Sequence, residues 1–480
     1  MPPQCWGSLC GIWTAPSPFP WRSSPGNRHS KSPAHLRCNE KKGGISPVKK
    51  NTAFTKAEKS WAMYDWANSV YATIIMAAVY PIYFTNVCYE LGIPGDVWWS
   101  LGTSIATLVV AVCSPFFGAL GDYKGMKKRM LGLFAAVGVV CTLFMAIFDN
   151  PRGMLVGYIL SYIGFGIANL FYDSLLTDVA TADRMDRVSS FGYSLGYLGG
   201  STIPFILSIL LIQFGSHIGI GGVAAVKISV VMTSVWWGAF SIPLFRNVKQ
   251  KYYVEAKAGS RMVDAFQNLR HTLAEIFRNK SIFFFIIAYF FYIDGVGTVI
   301  HMATAYGSSL RLNSTSMILA LFLTQIVAVP CAILFGNIAT KKGAVPTLLG
   351  GIGIYIVVCI LGFFMGHNVE SASPETLDAA IQGSTRLFWV LSILVGMAQG
   401  GMQAISRSTF GKLIPPERSN EYFGFFDVFG KFATIMGPAL YAAIATATGR
   451  SSIGILAIAL LFVVGGVLLL VQRRYDTKAA

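Results

Sequence analysis

The chain has 480 residues, 54% of them hydrophobic and only 12% charged, with a mean hydropathy of +0.56. Soluble domains carry about a quarter charged residues, so a fully water-facing surface is excluded. The formal charge of +16 sits in short segments between apolar runs, without a basic helix face or zinc-finger spacing, which argues against nucleic-acid binding.

Residues 1–55 are rich in Pro, Ser and basic side chains, and Glu40 is the only acid before Glu58. They contain no continuous apolar stretch of the kind a secretory signal needs, and they read as a disordered tail, either an organelle transit peptide or an extended start of the reading frame. Twelve apolar spans follow, at about 61–87, 97–120, 130–148, 153–175, 189–213, 225–245, 281–300, 316–338, 345–366, 386–407, 421–447 and 453–471. Each is long enough, at about 1.5 Å per residue, to cross a hydrocarbon core as a helix. The pattern predicts an all-α polytopic membrane protein: a six-helix bundle over 56–247, a linker over 248–280, a second six-helix bundle over 281–473 and a short tail over 474–480.

Within the linker, Val263, Phe266, Leu269, Leu273, Ile276 and Phe277 recur at helical spacing, which predicts an amphipathic helix against the inner surface. Lys and Arg concentrate in alternate loops, among them Lys124, Lys127, Lys128, Arg129, Arg184, Arg187, Lys341, Lys342 and Lys412. That bias places both termini in the cytoplasm.

The two halves echo each other. GALGDYKGMKKR (from Gly118) follows span 2 and GNIATKKGAVP (from Gly336) follows span 8, each with two glycines seven apart. FGYSLGYLGG in span 5 pairs with FGFFDVFGKF in span 11. Parallel repeats of this kind are a transporter architecture.

The first of these loops resembles the loop between spans two and three of the major facilitator superfamily, G-x-x-x-D-R-x-G-R-K. Gly118, Asp122, Gly125 and Lys127 match, Tyr123 and Met126 replace basic residues, and Thr340 stands in the second copy where an acid is expected. YDWANSVYATIIMAAVYPIYF (from Tyr64), FYDSLLTDVA (from Phe171), RVSSFGYSLGYLGG (from Arg187), FFYIDGVGT (from Phe290) and GGMQAISRSTFGKLIPPERSNEYFGFFDVFGKF (from Gly400) resemble the vacuole-effluxer branch of that superfamily. The resemblance implies two pseudo-symmetric bundles that rock about one central site, with spans 1, 4, 7 and 10 lining the cavity. From the eukaryotic members it implies amino-acid efflux.

Charge inside the spans marks candidate site residues, because a charge at mid-membrane costs a few kcal/mol unless it meets a cavity or a partner. Asp294, near mid-depth in span 7 beside Gly295 and Gly297, is the first candidate, as a proton-coupling acid. Lys431 and Asp427 share a helix face in span 11, where they pair with each other or where Lys431 exchanges partners with Asp294. Asp173 and Asn169 in span 4, Asn68 in span 1, and Gln399 and Gln403 in span 10 complete the substrate and coupling set. Asp65 reads as a helix-start acid. Arg407 reads as a snorkelling side chain at the inner surface, or as a gating partner of Asp173. Asp122 reads as a conformational latch with Gly118 and Gly125, whereas Lys127, Lys128 and Arg129 read first as topology signals.

No CxxC, HExxH or Cys/His cluster occurs, so neither a metal nor a cofactor is expected. The expected activity is secondary transport of a small polar solute, an amino acid exported with possible proton coupling, by a monomer in the lipid bilayer of the plasma membrane or of a vacuole or organelle. The alternative is a transport-inactive sensor on a carrier fold; nucleophile and base motifs for a membrane-embedded enzyme are missing.

Overall fold

The computed structural model describes residues 53–255, 261–433 and 435–479, and most of the tail assigned to 1–55 lies outside them. Among the described residues, twelve helices are long and apolar enough to cross a membrane. Spans 1 to 6 are Lys56–Glu90, Gly95–Gly121, Met126–Met145, Pro151–Val179, Met185–Ile218 and Gly222–Asn247. Spans 7 to 12 are Lys280–Ser309, Thr315–Lys342, Ala344–Glu370, Leu377–Leu413, Pro416–Thr448 and Ser451–Asp476.

Local chemistry sets the starts of these helices. Thr55 caps span 1 in a reciprocal pair: Glu58 N–H donates to Thr55 Oγ1 at 3.2 Å, and Thr55 N–H donates to Glu58 Oε2 at 2.7 Å. Asn150 caps span 4 directly before Pro151, and Asn279 and Asn313 open spans 7 and 8 in the same way. Gly125 and Gly343 turn the chain after spans 2 and 8 with φ of +74° and +94°.

The first six spans enclose one apolar core, around Trp61, Tyr71, Phe171 and Trp237. The last six enclose another, around Phe285, Tyr292, Tyr355 and Phe462. The halves meet where spans 2 and 11 cross and where spans 5 and 8 cross. Among the described residues, the hydrogen bonds between the halves lie in the part of the spans nearest the two chain ends, here called the terminal face. The deepest is Gln399 Nε2 to Tyr197 Oη at 3.1 Å. Towards the opposite face the second part of span 11 packs on spans 7 and 12 of its own half.

Span 11 is not the single helix that its composition suggests. It forms two helices, Ser419–Phe432 and Met436–Thr448. Pro438 explains the break: it has no N–H to donate to the turn before it and its ring crowds that turn, so a helix can begin there but not run through it.

The linker crosses the terminal face. Val254 N–H donates to the Asp122 carbonyl at 2.8 Å, and Lys251 and Tyr252 N–H donate to Asp178 Oδ1 at 2.6 and 2.9 Å. Its helix, Arg261–Arg278, packs against span 2 and reaches span 11, where Arg418 Nη1 and Tyr422 Oη donate to Glu275 Oε2 at 2.7 and 2.9 Å. Partial burial pushes the Glu275 carboxyl up, but the Tyr422 hydroxyl and the Arg418 charge outweigh it and hold the group below its ordinary range. Of the expected apolar stripe, Ile276 is buried whereas Leu273 and Phe277 stay exposed.

Candidate functional site

A cavity lies between the halves, with Asp173, Tyr193, Tyr289, His301, Gln403 and Arg407 among its walls. It adjoins a second pocket that holds Asp173 together with Asp427 and Lys431; Tyr289, Phe426 and Gly430 belong to both. Spans 4, 5, 7, 10 and 11 thus all face one space.

Arg407 forms the floor. It is 3% exposed, and its guanidinium binds two acids of the other half: Nη1 to Asp173 Oδ1 at 2.9 Å and Nη2 to Asp65 Oδ2 at 3.1 Å. Nε donates to Ser189 Oγ at 2.9 Å, and Nη2 also donates to the Ser189 carbonyl at 3.1 Å. The rings of Trp61, Tyr172 and Tyr193 surround the cation at 4.7, 5.3 and 4.4 Å. The reading of Arg407 as a snorkelling side chain is therefore corrected: span 10 continues to Leu413, and the guanidinium is enclosed where it would otherwise reach water. Asp65 is corrected too. The acid in the first turn of span 1 is Glu58, bound to Arg184, whereas Asp65 lies deeper and serves Arg407.

Asp427 and Lys431 make the expected i, i+4 pair at 3.0 Å. Ser114 Oγ, from span 2, donates to the other Asp427 oxygen at 2.8 Å, so this pair also touches both halves. Asp173, Asp427 and Lys431 keep 30%, 22% and 17% of their side chains exposed, each turned into the same pocket. Gln403 lines the larger cavity, and Gln399 lines it while bonding Tyr197. Asn68 and Asn169 instead hydrogen-bond to each other and tie span 1 to span 4.

Asp294 is not in this cavity. Ile293, Val296, Gly297 and Ile300 present the cavity face of span 7, and Asp294 points away from it, wholly buried. Its carboxylate meets Thr298 Oγ1 at 3.5 Å and lies against Gly437 of span 11, where a Cβ would come within 3.0 Å of Oδ1, and the neighbouring Gly295 packs on Phe462 of span 12. Of the two acids between which Lys431 was expected to exchange, the structure pairs it with Asp427.

Nearer the terminal face, Asp122 holds the halves together. Its Oδ1 accepts from Asn420 N–H at 2.9 Å and from Asn420 Nδ2 at 2.8 Å, and Oδ2 accepts from Glu421 N–H at 3.0 Å. These are free amides at the start of the first helix of span 11, where a carboxylate is favoured. Gly118 permits the approach, since a Cβ there would lie 2.4 Å from the Asn420 carbonyl oxygen. Burial pushes the Asp122 carboxyl up to about 7, against the opposing pull of the Lys127 charge and the two amides.

Lys127 is more than a topology signal. It is fully buried, pairs with Asp178 at 2.7 Å and donates to Ser419 Oγ of the other half at 2.8 Å. Asp186, which sequence reasoning passed over, accepts from Ser408 Oγ at 2.7 Å and pairs with Lys412 at 2.6 Å. Tyr193, Tyr289 and His301 were also missed as cavity residues. Nothing in an aromatic-rich span distinguishes a ring that faces solvent from one that faces its neighbours.

The model of the family described as "Vacuole effluxer Atg22 like" matches residues 99–478. An uncharacterised MFS-type transporter of Bacillus subtilis, YxiO, is 41% identical over 423 residues, covering 87% of this chain and 94% of that protein. Autophagy-related protein 22 of Kluyveromyces lactis is 23% identical over 67% of this chain and 68% of its own length. Among solved structures, a bacterial homologue of the iron transporter ferroportin aligns with a TM-score of 0.62 at 13% identity, over 87% of this chain and 98% of its own. The proton:xylose symporter XylE aligns at 0.61 and 12%, over 86% of this chain and 94% of its own. At such identities these two establish the fold alone: twelve helices in two pseudo-symmetric bundles. The chain belongs to the Atg22-like vacuole-effluxer family and is a multi-pass membrane transporter of the major facilitator superfamily.

Proposed function

We propose that this carrier exports a zwitterionic solute, an amino acid or a close relative, by alternating access and with a proton as the coupling ion. The observation that carries the reading is the shared pocket of Asp173 and Lys431. Each is neutralised from behind, by Arg407 and by Asp427, and presents its remaining exposed surface to the same space. An ammonium group can bind Asp173 while a carboxylate binds Lys431.

Charge balance supports the same class. Asp65, Asp173 and Asp427 face Arg407 and Lys431 around the cavity. With every group ionised, three acids against two bases leave one negative charge in excess, which favours a solute bearing an ammonium group.

The terminal face, sewn shut through Asp122, Lys127, Asp186 and Arg407, acts as the inner gate, with both chain ends in the cytoplasm and the plasma membrane as the site of action. The test is counterflow of a labelled panel of amino acids, sugars and organic ions in proteoliposomes at two pH values. Zwitterions should exchange, and Asp173→Asn and Lys431→Ala should each abolish that exchange. Exchange of zwitterions at the wild-type rate by both variants would overturn the reading.

A further inference from the structure

The break in span 11 and the buried acid beside it belong together. Asp294 Oδ2 is enclosed and has no hydrogen-bond partner, while Gly437 at the start of the second helix packs against Oδ1, where a Cβ would lie 3.0 Å away, and the Thr298 hydroxyl donates to the same oxygen. A buried carboxylate ordinarily gathers a cation or several donors. Among the described residues no ion pair involves Asp294: the second helix of span 11, Met436–Thr448, carries no charged residue, span 12 carries none before Arg473, and on span 7 itself His301 stands further along, in the wall of the solute cavity. From span 10 the contact to this part of span 7 is the neutral Ser406 on Tyr292 Oη. Lys431 is held by Asp427 on the cavity side.

We infer that Asp294 is the proton-binding carboxyl of the carrier, and that the hinge between the two helices of span 11 reads its occupancy. This rests on the reading of the chain as a proton-coupled exporter and assigns the coupling site to a place outside the solute cavity. When ionised, the carboxylate caps the positive end of the second helix through Gly437. When the proton sits on Oδ2, the attraction between carboxylate and helix end is lost and the second helix is released. The first helix of span 11 carries Asp427 and Lys431, so the solute pocket and the proton site lie on the two sides of one hinge.

The test uses the full chain in lipid nanodiscs, with the proton itself as the probe. An infrared pH titration should show the carbonyl band of a protonated carboxylic acid that disappears in Asp294→Asn and persists in Asp427→Asn. Amide exchange across residues 435–440, corrected for intrinsic rates, should rise about fivefold on acidification of the wild type, the loss of one helix cap. In Asp294→Asn it should be fast at every pH, and Asp294→Glu should restore the pH dependence.

The same band and the same pH-dependent exchange in the wild type and Asp294→Asn would overturn the assignment. If Asp294→Asn does not fold, Thr298→Val takes its place: the midpoints of band and exchange must shift together, and unshifted midpoints refute it. Counterflow separates this claim from the solute reading. Exchange retained in Asp294→Asn with loss of pH-driven accumulation supports the assignment. A wild type that exchanges no solute defeats the solute reading while the titration stands.

Discussion

After span 2, Gly118 lets the helix approach span 11 so closely that a Cβ would lie 2.4 Å from the Asn420 carbonyl oxygen, and Gly125 turns the chain with φ of +74°. After span 8, Gly336 does the same against span 5, where a Cβ would lie 2.5 Å from that of Ser190, and Gly343 turns with φ of +94°. The glycines at equal spacing therefore do similar work in both halves: one allows a close crossing, and one takes a positive φ, left-handed at Gly125 and extended in ψ at Gly343. What differs is the residue four positions on. Asp122 reaches across and caps span 11, whereas the Thr340 hydroxyl donates to the Gly336 carbonyl in its own helix at 2.8 Å. The buried carboxylate of the second crossing is supplied from the opposite side, by Asp186 of span 5. A repeat thus preserves backbone geometry and leaves the charge free to move.

The largest effect tests what both crossings share. Arg407→Ala strands Asp65 and Asp173 in a buried site, and removing one partner of such a cluster costs about 3–5 kcal/mol. Thermal unfolding in detergent should show that loss, together with a separated terminal face in spin-label distances between the halves. An unchanged melting temperature would remove Arg407 from the gate.

Next comes the glycine frame. Gly118→Ala and Gly336→Ala should each weaken the closed face by about 1–3 kcal/mol through overpacking. The two should agree in size. A clear effect at Gly118 alone would break the equivalence of the crossings.

The polar residue sharpens the comparison further. Asp122→Ala leaves the Asn420 and Glu421 amides unpaired and should shift the equilibrium towards separation by about 1–3 kcal/mol. Thr340→Ala should change it by less than about 0.5 kcal/mol. Spin-label distances on both variants check the pair, and equal shifts would contradict the asymmetry.

The last test is in pH. Burial holds the Asp122 carboxyl at about 7 in the closed face, while a solvent-exposed carboxyl returns to its ordinary value of 3.8 when the face separates. The closed face therefore binds this proton more tightly. Its contribution is fully present below the lower value and is lost as pH rises through about 7. Acidification from pH 8 to 5 should raise the closed population in the wild type, and Asp122→Asn should remove that dependence.

Much of the candidate site was legible from a single rule, that a polar or charged group inside a span needs a reason. Asp173, Asp427, Lys431, Gln399 and Gln403 followed from it, and the structure gathers them around one cavity. The same rule pointed to Asp294 but not to the side it faces, because the sequence gives depth along a helix and not its rotation. Arg407 and Lys127 were undervalued for a related reason. Near a span end, exposure and burial read alike until the partner is known, and their partners lie far away in the chain: Asp65 for Arg407, Ser419 for Lys127.

By itself the sequence determined the solvent of this protein, the number of its spans and the echo between its halves. Hydrophobic length, loop charge and glycine spacing are local quantities that a bilayer reads directly. Only the tertiary structure decided that two acids share one guanidinium between the halves, that span 11 divides between Phe432 and Met436, and that Asp294 lies buried outside the cavity. These depend on which faces meet, and that is fixed by the packing of all twelve helices together.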